Sequence, residues 1–451
     1  MRAKSKSGYQ GSFLLPTLRE QLDARQGLYK LGEKIPWKDF EQEFGCFYSE
    51  EGRPAKPIRL MVGLLLLKQM HNLGDETVVE QWVQNPYFQF FCGQEEFSWS
   101  APCEPSDLVH FRHRIGEGGV QIILAVSAGI HGKKAQEKEV VVDTTVQEKS
   151  ITYPTDSKLH RKIIVRCWKA ADQEGIKLRR RYRKEVRKCV LSLRGWRTRH
   201  GQKAARRGAR KLKTIAARLV RELGRKLSQP GLERQQENLA LYARVLKQKP
   251  GDSNKVYSLH ESHVYCVSKG KEHKKYEFGT KASLAMTKTH GIIVGALALE
   301  TNQYDGHTLP EVLEQVEAIT GEVPEKAIVD RGYRGKSRVG ETEVLVPATS
   351  TKNQSAKEIR ENKGRFRRRC AIEPTISHLK HRFRLCRNWL KGFEGDSINV
   401  MLAAAAWNLR KWMILFCAYF RLSPSLNSNL WMLLPLDDLL PDLKKGFLRS
   451  D

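Results

Sequence analysis

Apolar positions along the chain change period several times, and each change marks a new kind of element. After Pro57, the residues Ile58, Met61, Val62, Leu65 and Leu66 recur at helical spacing and predict a helix running to His71. Residues 75–83 predict a second short helix, ended by Pro86. Pro105-Ser106-Asp107 reads as a helix start with Ser106 as N-cap, and residues 108–115 continue it to a stop at Gly116. The first 135 residues therefore read as mostly helical. The period then shifts. Val140, Val141 and Val142 are three β-branched residues in a row, as in a strand buried on both faces, and a strand is expected over residues 139–152.

Helical spacing returns beyond the turn at Tyr153-Pro154. Leu178, Tyr182, Val186 and Val190 recur every four residues, and Leu212, Ile215, Leu219 and Leu223 at three and four. Breaks at Gly195 to Gly201 and at Pro230-Gly231 divide this stretch into two or three helices. From Tyr257 the pattern is that of strands, over 262–268, 278–286 and 292–299. A helix over 309–319, the strand Ala327-Ile328-Val329, a short helix and a strand over 344–347 follow. A polar loop (348–362) then leads to an amphipathic helix bearing Glu373. A turn at 392–395, a long helix over 397–420 and a Pro-interrupted apolar tail (430–443) complete the chain, with no internal repeat. This order predicts an α/β mixed sheet covered on both faces, with a helical insertion after the first strand.

Charge adds a partner to this outline. The chain carries 79 Lys and Arg against 50 Asp and Glu, a net of +29, which calls for a polyanion. Residues 157–250 alone hold 30 Lys and Arg against 6 Asp and Glu. Such a segment repels itself unless something neutralises it, so phosphate-backbone contact is the expectation. Trp168 and Trp196 suit base stacking or core packing, with packing favoured. An anionic membrane is the weaker alternative. The most apolar window, near 398–420, is interrupted by Asn408, Arg410 and Lys411, and the basic N-terminus lacks a signal peptide's apolar run. Nine cysteines without a Cys-x-x-Cys pair point to free thiols in a reducing cytoplasm. Near the N-terminus, the helix with Arg112, His113 and Arg114 fits either a helix-turn-helix-like reader or a packing helix with a basic face.

The candidate chemistry lies where strands end in acids. Asp143 directly follows the valine run, and Asp330 follows Ala327-Ile328-Val329. An ionised carboxylate there is costly unless paired or bound to a metal. A third acid, Glu373, has Arg369 one turn before it and Lys380 about two turns after, on one expected helical stripe with Ile376. Three carboxylates can hold two divalent ions about 4 Å apart for phosphoryl transfer, and an all-oxygen set favours magnesium. His260-Glu261 and His263 superficially resemble a metal site, but without cysteine partners a structural or phosphate-contacting role is preferred. Asp305 and His307 lie at a strand-to-helix turn, where Asp305 caps the helix or borders the site. Cys370 has no base partner and reads as an inert thiol.

These residues carry a resemblance. The blocks Val141-Val142-Asp143-Thr144-Thr145, Tyr276 to Lys281, Asn302 to Leu309 and Ile328 to Gly335 are similar to those of the DDE transposases of bacterial insertion sequences, the insertion-sequence-five family. Arg369, Glu373 and Lys380 match the third catalytic block, and Phe111 to Gly116 resembles the end of the family's N-terminal domain. The resemblance implies a ribonuclease-H-like mixed sheet flanked by helices. The implied activity is cleavage at the 3′ ends of terminal inverted repeats and joining of the 3′-hydroxyl to target DNA. Asp143, Asp330 and Glu373 would be catalytic metal ligands for two Mg²⁺ ions, with Mn²⁺ able to substitute. Arg369, Lys380, Arg331, Arg334, Arg112, Arg114 and Lys281 would contact DNA, with Asp305, His307 and His260 as secondary candidates. A homodimer or higher oligomer on double-stranded DNA is expected, in the bacterial cytoplasm, nucleoid-associated when bound. The expected division is a helical N-terminal domain for DNA-end recognition (1–135), a first part of the catalytic core (136–156), a basic helical insertion (157–256), the rest of the core (257–392) and a C-terminal helical segment (393–451). A DNA-binding protein or a structure-selective nuclease on the same fold, without strand transfer, is the alternative.

Overall fold

The computed structural model describes residues 16–48, 51, 55–249, 251–268, 275–335, 337–347 and 356–422. Seven helices come first: α1 (Leu18–Gln21), α2 (Gly27–Lys34), α3 (Trp37–Phe44), α4 (Ile58–Met70), α5 (Asp75–Gln84), α6 (Pro86–Phe91) and α7 (Pro105–Gly129). The expected helix starts hold at Pro57 and Pro105. The cap at α7 differs, because Glu104 rather than Ser106 stands at the N-cap and its backbone N–H donates to Asp107. Gly116 interrupts α7 rather than ending it. Its φ of +56°, open to glycine at little cost, lets a second helical stretch leave at an angle.

The sheet forms from β1 (Glu139–Lys149), β2 (Tyr265–Ser268), β3 (Tyr276–Thr287), β4 (Ile293–Leu299), β5 (Lys326–Ile328), β6 (Arg338–Val339), β7 (Thr342–Leu345) and β8 (Arg387–Asn388). Its main path runs β2, β3, β1, β5, β7, β6, with β4 also paired to β3 and β8 to β1. Strand β3 is antiparallel to its neighbours β1 and β4, while β1, β5 and β7 are parallel. This is the ribonuclease-H-like arrangement. Alternation along β1 sorts its side chains between two cores. Val140 and Val142 pack with Ala327, Val329 and the helix α12 (Leu309–Thr320). Val141 packs on the other face with Ile328, Met286 and Ile372.

Ile372 opens α14 (Ile372–Arg382), and here the expectation of one helix running from Arg369 through Lys380 is corrected. Arg369 is the last residue of α13 (Ala356–Arg369), and the chain turns at Cys370 and Ala371 before α14 begins. Residues from Ala356 onward, expected as part of a polar loop, are helical. The long apolar helix α15 (Gly392–Leu422) is apolar and long enough to cross a membrane, but most of that stretch is buried inside the protein. Its Asn408 pins it to the sheet, accepting from the Ile293 N–H at 2.9 Å and donating to the Ile293 carbonyl at 2.8 Å. The apolar tail over 430–443 lies outside the described residues.

The basic stretch forms four helices rather than two or three: α8 (Asp156–Gln173), α9 (Arg183–Ser192), α10 (Gln202–Lys226) and α11 (Gln229–Lys247). They enclose a core of their own, with Ile163, Cys167, Leu212, Leu219 and Val245 buried in it. A buried ionic cluster ties the segment that follows this bundle to the sheet and to α15. Lys149, on β1, lies 2.7 Å from Asp396 at the start of α15 and 3.4 Å from Glu261. His263 Nε2 stands 3.0 Å from Asp396. Glu261 and His263 are thus part of an ion-pair network around a lysine, one of the two roles, structural or phosphate-contacting, preferred from the sequence.

Candidate active site

Strand register brings the two aspartates together. The β1–β5 pairing sets Val140 beside Ala327 and Val141 beside Ile328. Asp143 follows two residues after Val141 on β1, and Asp330 two residues after Ile328, just beyond the end of β5, so the two aspartates stand at corresponding positions past the paired segment. By alternation along β1, Asp143 falls on the face of Val141, the face that α14 covers through Ile372. Each carboxylate is fixed by a local backbone contact. Asp143 Oδ1 accepts from the Thr144 N–H at 2.8 Å, and Asp330 Oδ1 from the Gly332 N–H at 2.7 Å. The second bond makes Asp330 the N-cap of the turn Arg331–Tyr333.

Asp305 joins them from the turn before α12. Its Oδ1 accepts from the Thr144 hydroxyl at 3.0 Å and from Lys281 Nζ at 2.9 Å. A Cβ on Gly332 would stand 2.9 Å from Asp330 Oδ1 and 3.2 Å from Asp305 Oδ2, so only glycine lets these carboxylates approach the turn. The charges of all three acids reach the hydroxyl of Tyr333. Burial first, and then the charges of Asp305, Asp143 and Asp330, push this phenol well above its ordinary range. Tyr333 is fully buried, and among the described residues its oxygen has no partner in hydrogen-bond geometry, with the Thr308 side chain nearby.

Glu373 does not complete the group as it stands. Its side chain is 62% exposed and pairs with Arg369 at 3.2 Å. Among the described residues no three His, Cys, Asp or Glu side chains gather closely enough to hold a metal ion.

Residues 16–114 match the family described as Transposase domain (DUF772), and residues 255–409 match Transposase DDE domain. The chain belongs to the DDE transposases of insertion sequences. The second match holds Asp330 and Glu373 but begins after β1 and the basic bundle, so Asp143 lies outside it. The transposase is also 44% identical over 185 residues to a Rhizobium meliloti protein described as uncharacterized protein ORF8 in nfe locus, across 39% of this chain and 89% of that relative. No solved structure matches it.

DDE transposases act on DNA and normally use divalent metal ions. The donor set here suits a hard cation in kind: carboxylate oxygens without thiolate or imidazole, beside an unsatisfied buried phenol. Glu373 is not part of this set while it is paired with Arg369.

The expected DNA contacts divide into two groups. Arg331, Arg334 and Arg114 are exposed, Arg114 stacked 4.7 Å from the Tyr48 ring, and Arg369 and Lys380 are half-buried. Arg112 and Lys281 need correction. Arg112 is buried and makes a bidentate pair with Asp75 at 2.8 and 2.7 Å. Lys281 is spent on Asp305 and on the Gln303 carbonyl at 2.7 Å. Neither cation is available to a phosphate without breaking a buried bond. His307 is exposed against the Tyr304 ring, and His260 Nδ1 bonds to the Ser258 hydroxyl. Sequence reasoning missed Thr144 and Tyr333 as the groups framing Asp305. Both lie inside the matching blocks, but their roles depend on contacts between distant strands.

Proposed function

We propose that this transposase binds the terminal inverted repeats of its own insertion sequence, hydrolyses DNA at their 3′ ends and joins each freed 3′-hydroxyl to target DNA. The observation that supports the reading is that Asp143 and Asp330 follow the paired segment of β1 and β5 at corresponding positions, while the helix that bears Glu373 packs on this sheet through Ile372. Asp143, Asp330 and Glu373 hold two divalent ions, Mg²⁺ with Mn²⁺ able to substitute. Such ions, when bound, act as Lewis acids toward the attacking and leaving oxygens of a phosphodiester. Glu373 reaches the aspartates by exchanging its exposed pair with Arg369, a contact worth at most about 1 kcal/mol. Arg369, once released, and Lys380 face DNA phosphates. Arg331 and Arg334, exposed in the turn after Asp330, add further phosphate contacts. Asp305 holds Thr144 and Lys281 in place beside the metal-binding acids.

The reading includes membership of the insertion-sequence-five family, a homodimer or higher oligomer that pairs two DNA ends, and end recognition by the N-terminal helices up to residue 135. It places the protein in the cytoplasm, on the nucleoid when bound to DNA. The test uses purified protein, a duplex with the element's terminal repeat and a supercoiled target, in Mg²⁺ or EDTA. Metal-dependent nicking at the 3′ end with joined product, lost in Asp330→Ala and Glu373→Ala, is expected. Nicking without joining would replace the transposase reading with a nuclease. Binding without cleavage, the same in both variants, would remove the catalytic assignment.

A further inference from the structure

The basic bundle carries its charge in one ordered place. Helix α10 contains ten Lys and Arg and one acid, Glu222, which is already bound to Lys226 and to the Arg179 N–H. Ala205, Gly208, Leu212, Ile215, Ala216, Leu219 and Leu223 are buried along one side. Gly208 locks this side against α9, since a Cβ there would stand 2.3 Å from the Ser192 hydroxyl. On the opposite side Lys203, Arg207, Arg210, Thr214, Arg218, Arg221 and Arg225 are all exposed. Their spacing of four, three, four, four, three and four residues keeps them on one line down the helix. At 1.5 Å per residue that line is about 33 Å long, close to one turn of B-DNA. None of its six cations pairs with an acid among the described residues. From Lys203 to Arg221 there is no Asn, Gln, Asp or Glu, the side chains that read adenine and cytosine edges.

We propose that this ridge is a sequence-independent docking surface for the phosphate backbone of double-stranded DNA, held outward by the bundle's own core. The inference rests on the reading of the protein as a DNA transposase, which gives the ridge its partner. A solvated surface is the ordinary fate of scattered lysines, but six aligned and unneutralised cations repel one another until a polyanion lies along them. The ridge supplies affinity, and recognition of the repeat belongs to other surfaces.

The test measures binding of the full chain to a terminal-repeat duplex and to a scrambled duplex of equal length, across a salt series. The ridge variant is Arg207→Gln/Arg210→Gln/Arg218→Gln/Arg221→Gln. A control, Lys169→Gln/Lys184→Gln/Arg187→Gln/Lys188→Gln, removes as much charge from exposed positions on α8 and α9. Each lost phosphate contact lowers the slope of log K against log salt by about 0.9, so the ridge variant's slope should fall by about 3 to 4. Between 50 and 200 mM salt, the wild type should lose roughly 10²-fold more affinity than the variant. Both duplexes should weaken equally, and the control should change the slope by about 1 or less. An equal effect in the control, an unchanged slope, or a preference for RNA over duplex DNA would overturn the proposal. Unaltered thermal unfolding and metal-dependent nicking at low salt separate a docking defect from misfolding. If the wild type shows the ridge effect but cleaves nothing, the docking surface stands and the catalytic reading fails.

Discussion

Replacing Lys149 by Met isolates one charge at the joint between the bundle, the sheet and α15. Met keeps most of the stem and volume, so packing changes little. The ammonium it removes is 3% exposed and lies 2.7 Å from Asp396 and 3.4 Å from Glu261, carboxylates that are 0% and 4% exposed. It also donates to the Gly392 carbonyl at 2.9 Å. Breaking a buried pair by removing one partner costs about 3–5 kcal/mol, because the remaining charge stays desolvated. Asp396 keeps Asn388 at 2.6 Å and His263 at 3.0 Å, and Glu261 keeps the Gly392 N–H at 3.1 Å. These contacts put the expected loss at the lower end, about 3 kcal/mol, or roughly a hundredfold in the unfolding equilibrium. Hydrogen exchange is the suitable assay, since a chain of this size need not unfold in one step. Amides of β8 and the start of α15 should lose protection by about that factor, and those of α4 should not. Adding Asp396→Asn should recover part of the loss, because the cost lies in the unpaired charge. A loss below about 1 kcal/mol, or no recovery in the double variant, would refute the argument that buried charge balance holds this joint.

Three further outcomes follow from the same kind of reasoning. Burial works against Asp75 ionising, but the Arg112 hydrogen bonds and the Lys68 charge overcome it and hold the carboxyl down to about 2. Its contribution, about 2 kcal/mol, is fully present above the ordinary carboxylate range near pH 4 and is lost as pH falls toward 2. Asp75→Asn should therefore destabilise at pH 7, by a margin that closes between pH 4 and 2 in paired urea titrations. Tyr333→Phe removes a buried hydroxyl without a partner, so the metal-free protein should be as stable as wild type or about 1 kcal/mol more stable. A loss above 1 kcal/mol by chemical denaturation would mean that the hydroxyl is bonded. Gly332→Ala forces a methyl to within 3 Å of Asp330 and should slow DNA nicking at least about tenfold, since an ångström of displacement can cost about 10²-fold. Unchanged nicking would show that this carboxylate geometry is not what chemistry requires.

What the sequence determined by itself was local. Three valines before Asp143, and Ala327-Ile328-Val329 before Asp330, were enough to predict buried strands at these acids, although β1 runs on past Asp143 to Lys149, and the order of elements was enough to predict a mixed sheet split by a basic insertion. The apolar period along α10 is local too, which is why its helical form was legible. Tertiary structure decided which charges are free. Arg112 and Arg114 look alike in the chain, yet one is buried on Asp75 and the other is exposed beside Tyr48. Lys281 reads as a phosphate contact until β3 carries it to Asp305, and Glu261 and His263 read as structural or phosphate-contacting groups until β1 brings Lys149 to them. The break between α13 and α14 belongs to the same class, because an arginine-rich run has helical propensity on both sides of Cys370. Periodicity records which side of an element is buried. The partner of a charge is chosen by strand register and helix packing across hundreds of residues, and no local pattern encodes that choice.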